Sequence, residues 1–169
     1  MNTFLRAVRQ LSMVVWVGGL IFFAFVVAPV AFHVLPSTHE AGLVVGGTLR
    51  VLNEIGMVCY GVFFVATAMC ARSRAKALGP WLLTTQLVFV TLMLLATVYG
   101  KTSILPAMER DRIAAGGDVD AAAAGNPARV EFERLHGLSE KVEGSVLFLG
   151  LGIVVLMAAE GGSPRRVEL

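Results

Sequence analysis

Glu133, His136, Glu140 and Glu143 follow one another at spacings of three, four and three residues. On a helix of 3.6 residues per turn such spacings fall on one face. Carboxylate oxygens and imidazole nitrogens are donors for divalent metals, and Glu133-x-x-His136 is the i, i+3 pair that di-metal helical bundles use. A complete di-iron site needs a second such pair, which the sequence lacks. The donors therefore suit a single ion better, such as copper, zinc or manganese, with His33 as a second imidazole. Two histidines on separate helices at one height would also hold a b-type haem axially. The competing reading is a structural network: Arg50 with Glu54 or Glu140, Tyr99 and Lys101 nearby, and histidines hydrogen-bonded at the interface. Arg50 and Lys101 offset two of Glu54, Glu140 and Glu143, so the third needs a proton, a metal or Lys141. His39, beside Glu40, reads as a solvated loop residue. A Gly-rich phosphate loop, a Cys-x-x-Cys pair and a nucleophile elbow are all missing, so a catalytic role is the weaker expectation.

A membrane bundle must position these groups. Of 169 residues 56% are hydrophobic and 15% charged, with a mean hydropathy of +0.76, whereas soluble domains run near 45–50% and 25%. That balance excludes a disordered chain, a basic nucleic-acid-binding domain and a disulfide-stapled miniprotein. The net charge of +2 is too small to imply a polyanionic partner. A bilayer core needs roughly 20 apolar helical residues. Four stretches supply them, at about 11–35, 42–71, 80–100 and 128–159, with an outward connection at 101–126. The expected fold is an all-α, integral membrane four-helix bundle, one domain over 1–169, with helices 2 and 4 extended on the outer side. The first run is too long for the 7–15-residue apolar core of a cleaved signal and reads as a retained helix. Cys59 and Cys70, roughly 16 Å apart along one helix, cannot pair and read as packing residues.

Lys and Arg crowd the short segments at 1–10, 72–79 and 160–169, with Arg6, Arg9, Arg72, Arg74, Lys76, Arg165 and Arg166. This places both termini in the cytoplasm and the protein in the inner (plasma) membrane. Helical rise from that side puts His33, Arg50, Tyr99, Lys101 and His136 about 29–35 Å up, and Glu54 and Glu143 about 24–26 Å up. Every span thus delivers polar groups to one outer layer, where ionisable side chains face a bundle interior or a cavity. The stretch Gly116 to Gly125, rich in Ala, Gly and Asp, reads as an exposed linker. Gly18, Gly19, Gly56, Gly61, Gly144, Gly150 and Gly152 mark close helix contacts.

Two stretches carry a resemblance. WVGGLIFFAFVVAPVAF (Trp16 to Phe32) and FERLHGLSEKVEG (Phe132 to Gly144) resemble the first helix and the start of the last helix of a bacterial four-helix membrane family of unknown function. That family is similar to eukaryotic transmembrane proteins associated with cisplatin resistance, and distantly to copper-resistance four-helix membrane proteins. The resemblance covers nearly the whole chain and is strongest at Phe132, Leu135, His136, Gly137 and Ser139. It departs at Glu143-Gly144, where the family often has Asn-Leu. It implies copper or haem as the ligand and supplies no settled activity. The expected function is a metal-ion or haem binding and handling site built from His33, His136, Glu133, Glu140, Glu143 and Glu54. The alternative is an accessory subunit whose polar layer pins the bundle and docks a partner or a second copy. The bilayer is the one partner both readings share.

Overall fold

A computed structural model of the chain describes residues 2–74 and 80–161, and every regular element among them is a helix. Helix α1 (Asn2–Phe22) passes through a wide π-turn (Phe23–Val27) into α2 (Ala28–Val34). A short bend leads to α3 (Thr38–Arg74). Helix α4 (Pro80–Tyr99) continues through a second π-turn (Gly100–Ile104) into α5 (Leu105–Ala114), and α6 (Pro127–Gly161) closes the chain. These make four rods, each long and apolar enough to cross a membrane. The protein is a multi-pass membrane protein. Its two ends differ: the terminal end holds residues 2, 74, 80 and 161, and the loop end holds the 35–37 bend and the 115–126 connection. Lys76, Arg165 and Arg166, three of the basic residues behind the expected orientation, lie outside the described residues.

Around the bundle α1 packs on α3, α3 on α4, α4 on α6, and α6 returns to α1. Met13, Trp16, Phe63, Val90, Met93 and Ile153 form the buried centre. Without a hydrophobic drive between apolar helices in lipid, close backbone approach supplies the packing. At Gly56 a Cβ would lie 2.5 Å from the Trp16 indole nitrogen, so only glycine lets that fully buried ring seat against α3. Val17 packs in the same way on the Gly150 backbone. The outer surface is apolar, with Phe25 at 71% and Phe148 at 75% exposure. Such a surface is at home only in lipid.

Both π-turns stand immediately before a proline. Ala28 N–H donates to Phe23 O just ahead of Pro29, and Leu105 N–H donates to Gly100 O just ahead of Pro106. Proline lacks an N–H and its ring presses on the carbonyl four residues back. Widening the turn moves that carbonyl aside and keeps the rod continuous. The third rod therefore does not stop near residue 100 as expected. It runs on to Ala114, so three rods rather than two extend at the loop end.

The 115–126 connection is also not the free linker that its composition predicts. Gly116 and Gly117 take left-handed φ values of +98° and +95° and turn the chain back. Arg112 then donates to Gly117 O at 3.0 Å, and Arg129 donates to Ala122 O at 2.8 Å and Asp120 O at 3.2 Å. Val119 is buried, and Thr38 donates its hydroxyl proton to the Asp120 carboxylate. Two guanidinium groups catching backbone carbonyls hold down a segment with almost no apolar area of its own.

Candidate functional site

At the loop end a cavity of about 830 Å³ opens between α1–α2, the first half of α3, α5 and α6. Its lower wall is apolar, with Leu20, Phe23 and Ala28 opposite Leu147. Its upper wall is charged, with Arg50, Glu109, Arg112, Glu133, His136, Glu140 and Glu143. The helical spacing read in the sequence does present one face here, because all four α6 residues line the same space. His136 Nε2 lies 3.3 Å from Glu140 Oε1 one turn on. The imidazole lies parallel to the Phe132 ring, the planes 4° apart and the centroids 6.4 Å apart, within the stacking range. Glu133 receives Arg129 at 2.9 Å. Glu143 Oε1 accepts a hydrogen bond from the buried Asn53 amide at 3.4 Å. Its Oε2 is buried with no partner among the described residues.

Charge pairing differs from the expected balance. Lys101 pairs with Glu54, and neither residue lines the cavity. Glu109 takes Arg112 through two bonds, at 2.6 and 2.9 Å. Arg50 forms no ion pair among the described residues, although it sits near enough to Glu109 to act on it through space. His33 is exposed on α2 and is not part of the cavity wall, so it does not stand opposite His136. Tyr99 is exposed at the end of α4 and does not line the cavity. His39, expected in a solvated loop, lies in the first turn of α3 and borders the cavity. Among the described residues no three His, Cys, Asp or Glu side chains converge closely enough to hold a metal ion. The structure thus gathers His136, Glu133, Glu140 and Glu143 and leaves His33 and Glu54 outside.

A second polar cluster, at the terminal end, escapes sequence reasoning. Arg9 on α1 and Glu160 on α6 form an ion pair with side chains only 4% and 3% exposed. Gln86 on α4 donates to the other Glu160 oxygen at 2.6 Å. The Arg9 guanidinium also stands 5.8 Å from the centre of the Phe63 ring, a cation–π contact. In the sequence Arg9 reads as a topology signal only, and Gln86 and Glu160 carry no site expectation. A signal was available for two of the three. Arg9 and Glu160 flank the ends of their apolar runs at one level, whereas Gln86 lies about 9 Å into its own, so helical rise pairs the first two and does not bring in the third.

No curated protein and no solved structure matches the chain. A family match does exist, beginning in α1 and ending in α5. It includes Arg50 and Gln86 but neither Arg9 nor α6, which carries Glu133, His136, Glu140 and Glu143 of the cavity. The family matched over residues 11–112 is described as a domain of unknown function (DUF4149), and the chain belongs to it.

Proposed function

We propose that this chain is a binding and handling protein of the inner membrane, that the loop-end cavity is its site, and that this end faces outward with both termini in the cytoplasm. One observation carries the reading: a cavity of about 830 Å³ whose wall is apolar toward mid-membrane and charged toward the loop end. Ionisable groups at membrane depth are costly to place and mark working sites. Here they share one space instead of scattering. A copper-like or other divalent ion draws support from the His136–Glu140 contact, from Glu133 and Glu143 on the same face, and from the distant resemblance of the bacterial family to copper-resistance membrane proteins. The missing third donor among the described residues counts against a bare ion. A bis-histidine haem loses its second ligand with His33 outside the cavity wall. The geometry therefore favours a ligand bulkier than an ion.

Elemental analysis and an absorption spectrum of the purified protein, with thermal melting across added ligands, test this reading. Bound metal, or a ligand that raises the melting temperature, with the effect lost in His136→Ala, supports the site. A protein that carries nothing, with His136→Ala indistinguishable from wild type, sinks it. The accessory-subunit reading rests on the many charges already paired within the chain, Arg129–Glu133 and Lys101–Glu54 among them. It predicts instead that Arg129→Ala destabilises the protein, because Arg129 pairs with Glu133 and holds two connection carbonyls, and that His136→Ala does not.

A further inference from the structure

The shape of the cavity bears on how a ligand reaches it. At its lower end α1 and α6 are closed against each other by Val17 on the Gly150 backbone and, deeper, by Arg9 and Glu160. At its upper end Val119 and Asp120 cover it, held by the Thr38 hydroxyl. Between these closures the π-turn and α2 pack on α1 and α3, while cavity residues sit on both α2 and α6. Helices α2 and α6 make little direct contact with each other, and the gap between them borders exposed apolar side chains such as Phe32. A molecule entering there comes from the lipid, not from water.

Two groups on the charged wall have unmet polar capacity among the described residues, although Arg50 acts on Glu109 through space. Arg50 is a cation with no ion pair among the described residues, and Glu143 keeps a buried carboxylate oxygen with no hydrogen bond. Arg50 stands one helical turn, about 4.5 Å, above Asn53, and Asn53 is the residue that touches Glu143. The two unmet charges thus face one space, one turn apart. An anionic headgroup would satisfy Arg50 and repel Glu143, and a cationic one would do the reverse.

Resting on the binding reading above, we propose that the cavity takes one phospholipid with a zwitterionic headgroup of the phosphoethanolamine type. Its phosphate meets Arg50 and its ammonium meets Glu143 and Glu140. Its acyl chains leave between α2 and α6 along Leu20, Phe23 and Leu147. A phosphate and an ammonium joined by a two-carbon link span one helical turn. Two charge-assisted contacts, one to each end of the headgroup, give it an advantage that single-charge lipids lack.

The test uses the full chain in mild detergent, stripped of co-purified lipid. It is offered dioleoyl phosphatidylethanolamine, dioleoyl phosphatidylglycerol, dioleoylglycerol and soluble glycerophosphoethanolamine, and one-to-one retention is read by native mass spectrometry. Phosphatidylethanolamine is expected to be retained about tenfold over each of the others, the worth of one charge-assisted contact. Arg50→Gln and Glu143→Gln each erase that preference. Ala28→Trp fills the gap without touching a charge and lowers retention of every lipid, with thermal melting confirming the fold. Equal retention of the three lipids, a preference that survives both charge variants, or retention of the soluble headgroup alone overturns the proposal. Copper or zinc bound in place of lipid overturns the lipid and leaves the binding reading standing. Retention of neither overturns both.

Discussion

The two ends of this bundle spend their polar residues in opposite ways. At the terminal end three side chains, Arg9, Gln86 and Glu160, are buried and bonded to one another, and the α1–α6 contact is shut. At the loop end more charges are present, but most are half-exposed, paired along a single helix or across a surface, and grouped around an open space. Burial decides what a charge does. A dry ion pair resists separation because each partner alone would be stranded, whereas wet pairs are nearly interchangeable with water. The terminal end therefore works as a clasp, and the loop end is free to exchange partners.

The largest expected effect breaks the clasp. Glu160→Ala leaves Arg9 buried and unpaired and should cost about 3–5 kcal/mol of unfolding free energy in detergent micelles. Replacing Arg9 and Glu160 together by methionine should recover most of that loss, since no stranded charge remains. If the single variant melts like wild type, the contrast between the ends fails. Next comes Gly56→Ala, whose Cβ would collide with Trp16, at about 1–3 kcal/mol for overpacking. Gly144→Ala serves as its control, because a Cβ there meets nothing within 4 Å although Gly144 borders the cavity. Equal losses in the two would mean that helix propensity, not fit against Trp16, sets the effect. The smallest change is Lys101→Ala at the loop end. Its pair with Glu54 is partly exposed and should contribute no more than about 1 kcal/mol, less again at high salt. A loss as large as that of Glu160→Ala would show that the loop-end charges also act as a clasp.

The sequence read the heights of polar groups well and their directions poorly. Glu133, His136, Glu140 and Glu143 lie on one uninterrupted helix, so spacing alone put them on one face, and they do share the cavity. His33 lies beyond the Phe23–Val27 π-turn. Each residue added to a turn rotates everything after it by roughly 100°, so an even count of 3.6 per turn cannot say which way His33 points. Lys101 falls inside the second π-turn and meets Glu54 rather than the cavity. Arg9 failed for a different reason. A basic residue at the edge of an apolar run is normally a headgroup anchor, and only Glu160 and Gln86 arriving from two other rods make burial the better state.

Four membrane-crossing rods, and the absence of any soluble class, were determined by the sequence alone, because the transfer of an apolar stretch into lipid depends on that stretch and little else. The partners of each polar side chain were decided only by tertiary structure. Which face of one rod meets which face of the next depends on fits such as Trp16 against Gly56 and Val17 against Gly150, on two proline-driven turns, and on a connection tied down by Arg112 and Arg129. Lipid solvates every rod equally well from all sides, so composition sets no preferred rotation, and close contact between rods has to choose it.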